Sequence, residues 1–277
     1  MRDGFDDFYD IDAFVDVGGS HIRRRFNCQD HAVVMGCDQG LVLCVADGVS
    51  VVGGELSSAE AGAWLAAELA TRGAIEALQR GAEPGGVLLD VANYLARGLG
   101  PIAGLLGRRS DIGLSSTLLL MVLTPRWTYA WGSGDGHWGV TLPPGLAPGP
   151  HPANKTLLRA AASLAGSRPT EWQGGRHSDV LFKLATTSAA SGVDAIMAQL
   201  EPLVVIEGGP VLGGYVATDG LRHEPASALL LGQPGNAWRE ALIRSYDADD
   251  LGIARASRSL QRFALSNPFS ARAAGVA

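Results

Sequence analysis

Three Asp-Gly pairs stand out among the residues of this chain that could do chemistry. They are Asp47-Gly48, Asp135-Gly136 and Asp219-Gly220, and each closes a stretch that reads as strand: Val45-Ala46, Ser133-Gly134 and Ala217-Thr218. A fourth acidic element, Asp249-Asp250, immediately precedes a last predicted strand, and Asp30 precedes another. Any one of these pairs alone is most simply a turn ending a strand, as Asp-Gly often is. Their recurrence changes the reading. Carboxylates gathered at strand ends repel one another unless cations sit between them. An all-oxygen ligand set without His or Cys suits hard octahedral ions, Mg²⁺ or Mn²⁺, rather than zinc. Two such ions about 3.5–4 Å apart can lower the pKa of a bridging water and orient it for in-line attack on phosphorus.

Such groups need rigid elements to aim them. Leu41 to Ala46 is an unbroken apolar run, rich in β-branched residues, which predicts a strand buried on both faces. It stops at Asp47, whose charge cannot stay unpaired in an apolar core, and Gly48 then allows a tight turn or a close approach. Upstream, Phe14 to Ile22 predicts a first strand broken by Gly18-Gly19-Ser20, and Ala32 to Met35 a second. Arg23-Arg24-Arg25 reads as a short solvated basic face. Ser57 with Glu60 forms a capping box that predicts a helix from Ser58 to about Arg72. Gly81 to Gly86 breaks the pattern before a second helix over Val87–Leu99. Strands are predicted over Ser116–Leu123, Thr128–Trp131 and His137–Leu142, with links short enough for antiparallel hairpins. Beyond the Pro- and Gly-rich stretch 143–178, which holds a predicted helix over Asn154–Leu164, further helices are expected over Asp194–Leu200 and Trp238–Ser245. The remaining strands are Tyr215–Ala217 and Leu251–Ala256. Hairpins with helices in two blocks, rather than strict alternation, predict an α+β fold with layered antiparallel sheets.

At 277 residues the chain can bury a substantial core. A formal charge of −6 argues against general nucleic-acid binding and fits a surface that needs cations around its acidic site. Cys28, Cys37 and Cys44 are odd in number and lack C-x-x-C spacing, which argues against disulfides and a zinc knuckle. No apolar run is long enough to cross a membrane, and the acidic start Met1-Arg2-Asp3-Gly4 is unlike a signal peptide, so a cytoplasmic location without membrane partners is expected. Residues 1–13 are set apart as an acidic N-terminal segment, 14–258 as the folded domain and 259–277 as a weakly patterned tail. Gly134-Asp135-Gly136-His137-Trp138-Gly139 spells G-x-G-x-x-G after a strand, but Val140-Thr141-Leu142-Pro143-Pro144 follows where a dinucleotide site needs a helix.

Taken in order, several motifs resemble the metal-dependent serine/threonine protein phosphatases of the PPM or type 2C family. They are Arg25-x-x-x-Gln29-Asp30, Val45-Ala46-Asp47-Gly48-Val49, Ser116-Thr117, Gly134-Asp135-Gly136, Ala217-Thr218-Asp219-Gly220-Leu221 and Asp249-Asp250. The resemblance runs from about Ser20 to Ala256, and Ser20-His21 ahead of Cys28-Gln29-Asp30 is similar to a bacterial branch in particular. It implies a four-layer α-β-β-α sandwich of two antiparallel sheets flanked by helix pairs, with two Mn²⁺ or Mg²⁺ ions at one end and a third, weaker one nearby. By position, Asp47 would bridge both metals, Gly48 would lend its carbonyl, and Asp219 and Asp249 would complete the second site. Asp30 would hold metal-bound water, Asp135 would help bind the third ion, and Arg25 would grip the substrate phosphate with its planar fork. The implied reaction is attack of a metal-bridging hydroxide on a phosphoserine or phosphothreonine of a partner protein, the substrate of a Ser/Thr kinase.

Four positions depart from the family pattern. Gln29 stands where many members have Glu, Val49 where some carry a His that protonates the leaving alcohol, and Asp250 and Gly252 replace an Asn and a Ser/Thr. Two rival readings therefore stand beside the first: a pseudophosphatase of the same fold that binds phosphoproteins, and a hydrolase of another small phosphate ester. His21 and His223 lie near the motifs, either as hydrogen-bonding structural residues or as donors behind the metal ligands.

Overall fold

The computed structural model describes residues 5, 8–24, 26–48, 59–106, 114–143, 146, 170–176, 192–221 and 250–258. Two five-stranded antiparallel sheets dominate them. The first runs β2 (Asp30–Cys37), β3 (Gly40–Asp47), β4 (Leu118–Leu123), β5 (Trp127–Ser133) and β8 (Glu201–Glu207) in spatial order. The second runs β1 (Asp10–Asp16), β10 (Leu251–Ser257), β9 (Gly213–Ala217), β6 (Gly136–Leu142) and β7 (Thr170–Arg176). Four helices accompany them among the described residues: α1 (Gly19–Arg24), α2 (Ala59–Gln79), α3 (Pro84–Leu106) and α4 (Gly192–Gln199).

Side-chain alternation explains why the central strands are apolar without a break. Leu41, Leu43 and Val45 of β3, with Leu119, Met121 and Leu123 of β4, point between the sheets onto Val140, Leu142, Val216, Ala254 and Ala256. Val42, Cys44 and Ala46, with Leu118, Leu120 and Val122, point the other way onto the helices. Both faces are covered, so both residue sets must be apolar. α2 meets this outer face through Ala63, Ala66, Ala67, Ala70, Ala74 and Ala77, all fully buried. Small side chains at helical spacing let the helix lie close to the sheet. A third buried cluster, Tyr215, Ala217, Leu221, Leu251 and Ile253, covers the other face of the second sheet.

The α+β sandwich expected from the sequence is the observed architecture, with several boundaries moved. The first strand is Asp10–Asp16, not Phe14–Ile22; it pairs with β10 from Asp10↔Ser257 to Asp16↔Leu251, and the chain beyond Gly18 turns into α1. α2 extends to Gln79, past the expected end near Arg72, because its buried alanines continue to Ala77. α3 reaches Leu106 rather than Leu99 and contains Pro101. β7 and β8 were not anticipated. The capping pair at Ser57 and the helices expected over Asn154–Leu164 and Trp238–Ser245 lie, for Ser57 and both helices, outside the described residues. No described helix is long and apolar enough to cross a membrane.

Candidate metal centre

Antiparallel pairing delivers the acidic motifs to one end of the sandwich. β3, β5 and β9 run toward that end, and β2, β4, β6 and β10 start from it: Asp30 pairs with Asp47, Leu118 with Ser133, and Ala217 with both His137 and Ile253. Residues far apart in sequence therefore meet because each sits just before or after a strand. Asp47 ends β3 half-buried, its N–H donating to Thr117 Oγ1 at 3.0 Å while its carbonyl accepts from Thr117 N at 2.8 Å. Gly48 N donates to the Gln29 carbonyl at 3.0 Å and Gly48 bridges to Ser116.

Asp30, at the start of β2, is buried at 7% exposure. Its Oδ2 accepts from Thr218 Oγ1 at 2.6 Å, and that same hydroxyl accepts from Gly252 N at 2.8 Å. Thr218 thus stitches the two sheets together at the site and leads directly into Asp219. Asp30 Oδ1 is buried without a hydrogen-bond donor among the described residues. The Asp47 side chain is a hydrogen-bonding neighbour of the Asp30 carboxyl. Burial pushes the Asp30 carboxyl up to about 7, against the hydrogen bonds of Thr218 and Asp47, with the charges of Asp250 and Asp219 adding to the rise.

Asp250 is the opposite case. Oδ1 accepts from Gly18 N at 2.7 Å, and Oδ2 accepts from Gln29 N at 2.7 Å and contacts His21 Nδ1 at 2.7 Å. Both oxygens are engaged by the protein. The turn carrying Asp219 is packed against the same segment: a Cβ on Gly220 would fall 1.9 Å from the Asp250 carbonyl oxygen, so only glycine fits there. Asp135 lies in the β5–β6 turn behind Gly134, whose φ of 83° favours glycine and which abuts Thr117. No contact between Asp135 and the other carboxylates is found among the described residues.

Of the residues singled out from the sequence, the fold brings Asp30, Asp47, Gly48 and Asp219 to this end, with Asp135 one turn away. Arg25, Val49, His223 and Asp249 lie outside the described residues. Among the described residues no three His, Cys, Asp or Glu side chains converge closely enough to hold an ion. The donor chemistry nevertheless fits a hydrated hard cation: all-oxygen groups, two of them adjacent carboxyls, and a buried carboxylate oxygen that lacks a donor which metal-bound water would provide. Sequence reasoning missed Thr218 and the role of Asp250. A hydroxyl between a strand and an Asp-Gly turn was the available signal for the first; nothing in the sequence separates Asp250 from Asp249.

Residues 17–147 match the protein phosphatase 2C family. No curated protein matches the chain by sequence. By fold, the chain is similar to a serine-threonine phosphatase 2C from Toxoplasma gondii, at 16% identity and a TM-score of 0.52, covering 91% of this chain and 95% of that one. It is likewise similar to RsbX in complex with magnesium, at 9% identity and a TM-score of 0.52, over 91% of this chain and 100% of that one. PppA, a regulatory component of a type VI secretion system (T6SS) in Pseudomonas aeruginosa, superposes at 13% identity and a TM-score of 0.51, over 91% of this chain and 98% of that one.

Proposed function

We propose that this chain, a protein phosphatase 2C family member over residues 17–147, is a metal-dependent phosphatase acting on phosphoserine and phosphothreonine in a partner protein. The observation that carries the reading is the meeting of Asp30 with Asp47 across β2–β3 at the end of the sandwich to which Thr218 ties the Asp219 turn. Asp47 and Asp219, with the Gly48 carbonyl and Asp249, would hold two Mn²⁺ or Mg²⁺ ions, and Asp135 would contribute to a third. RsbX, with its bound magnesium, supports that choice of ion. When bound, the cations would supply a water of lowered pKa as nucleophile and positive charge against the phosphoryl oxygens.

The protein's own groups do the rest. Asp30, held by Thr218, would accept a hydrogen bond from water on Oδ1, for which no described residue supplies a donor, and orient it. Asp250, with both oxygens engaged, is a tether, which leaves the ligand role to Asp249. Arg25 would clamp the phosphate through two parallel N–H donors. Burial of Asp30 and the packed threonines keeps the site rigid, so that orientation does not have to be gained during the reaction.

The test is hydrolysis of an aryl phosphate and then of a phosphothreonine peptide, with and without Mn²⁺. Turnover that needs Mn²⁺ and disappears in Asp47→Asn and Asp219→Asn is expected. Metal binding without turnover of either substrate would favour a phosphoprotein-binding role. Turnover of the aryl ester but of no phosphopeptide would point to another small ester.

A further inference from the structure

We infer that His21 is a positioning residue for the candidate metal centre, acting through the Asp250 carboxylate. The inference rests on the metal-dependent reading above. Asp250 is 4% exposed and His21 6%, so neither is a surface accident. Three donors converge on this one carboxylate: Gly18 N on Oδ1, and Gln29 N and His21 Nδ1 on Oδ2, each at 2.7 Å. Because Oδ2 is an acceptor toward Gln29 N, the contact with Nδ1 is favourable when Nδ1 carries the hydrogen. The imidazole is itself held in place: the Phe26 ring meets it edge-on at 5.9 Å, and Phe26 N donates to the His21 carbonyl at 2.9 Å.

The segments joined at Asp250 are those that deliver the site. Gln29 precedes Asp30, and its carbonyl accepts from Gly48 N at 3.0 Å. The Gly220 turn, which carries Asp219, rests on the Asp250 backbone. Asp249 is the next residue back along the chain. One carboxylate therefore sets the mutual placement of Asp30, Gly48 and Asp219. Two of its three donors are backbone N–H groups that any sequence would supply. The third comes from the His21 side chain, and it decides how the carboxylate is aimed.

The experiment is calorimetric titration of Mn²⁺ into the metal-free full chain, for the wild type and for His21→Asn, His21→Gln and His21→Leu, with melting in EDTA alongside. An Asn amide nitrogen takes the place of Nδ1, whereas a Gln amide nitrogen takes the place of Nε2. His21→Leu and His21→Gln are expected to bind Mn²⁺ on the order of 10-fold more weakly or worse, as when partners behind metal ligands are removed. His21→Asn should recover most of the affinity. In aryl phosphate hydrolysis the half-saturating Mn²⁺ concentration should rise for Leu and Gln more than kcat falls at saturation. Equal Mn²⁺ affinity in Asn and Gln, or wild-type affinity in Leu, overturns the inference. Should Leu not fold, the Asn–Gln comparison decides, and failure of all three to fold also overturns it, since Asn keeps the donor. A wild type that binds no Mn²⁺ refutes the metal-centre reading itself, a result distinct from the others.

Discussion

Thr218→Val is the sharpest test of how the site is held. Valine has nearly the shape of threonine, so the change removes a hydroxyl and little else. That hydroxyl is fully buried: it donates to Asp30 Oδ2 at 2.6 Å, accepts from Gly252 N at 2.8 Å and lies at 3.5 Å from the Gly252 carbonyl oxygen. Losing a hydrogen bond to a carboxylate is worth roughly 1.5–3 kcal/mol, and leaving the Gly252 N–H unsatisfied in the interior roughly 1–3 kcal/mol more. Thr218 N still donates to the Gly252 carbonyl at 3.0 Å, so the strand ends stay in register and cannot open to let water in. An overall loss of about 3–5 kcal/mol follows from those two contributions. Thr218→Ser keeps the hydroxyl and loses one buried methyl, about 0.8 kcal/mol. Urea unfolding at neutral pH in EDTA measures both, with unchanged m values showing that the same surface is exposed. A valine variant within 0.5 kcal/mol or so of the serine variant would show that the hydroxyl does not join the two sheets, contrary to the expectation from unmet buried polar groups.

Three further outcomes are expected. Gly220→Ala places a methyl 1.9 Å from the Asp250 carbonyl oxygen, so the Asp219 turn must move; a loss of about 1–3 kcal/mol with weakened Mn²⁺ binding is expected, read by denaturation and calorimetry. Mn²⁺ at about 100 times its Kd should stabilise the wild type by roughly 2.7 kcal/mol in the same unfolding assay, and the effect should vanish in Asp47→Asn. His31 has its pKa lowered chiefly by burial, against the pull of Glu68. Its contribution is therefore present above the unfolded value of about 6.5 and is lost as pH falls through the lower folded value. His31→Gln should show a flatter decline in stability than the wild type on acidification below that value; an identical decline would refute the assignment.

The parts of the fold that were legible in the sequence are those whose environment is uniform. β3 and β4 are buried on both faces, so their unbroken apolar runs announce them, and an aspartate that halts such a run marks the sheet's end. β7 was not legible because Thr170–Arg176 has neither alternation nor an apolar run; pairing with β6, from Gly136↔Arg176 to Leu142↔Thr170, makes it a strand. The start of β1 was hidden for a related reason. Ile11 and Val15 remain 45% and 37% exposed in the fold while Asp12 and Asp16 share the partly buried face with Phe14, so its polarity pattern runs against its burial. The length of α2 was underestimated because alanine gives a weak apolar signal, although here it forms the packed face. In the site, the spacing of the Asp-Gly turns located Asp47 and Asp219 because chemistry and topology coincide there. Asp249 and Asp250 are equivalent as letters, and only donors converging from Gly18, His21 and Gln29 distinguish the second of them.

That contrast between two buried acids bears on function more directly than the resemblance of either to a motif. Burying a carboxylate is unfavourable unless donors replace the water it loses. At Asp250 the fold supplies three, and the residue is complete within the protein. At Asp30, a few residues away through Gln29, the described residues place Thr218 on Oδ2, a second carboxyl, Asp47, as the other hydrogen-bonding neighbour, and no further donor on Oδ1. A native interior tolerates an unmet polar atom where something outside the chain completes it. For adjacent carboxyls, that something must bring positive charge as well as hydrogen-bond donors. A hydrated divalent cation would bring both, which is why the proposed metal site is set at Asp30 and Asp47 rather than at Asp250.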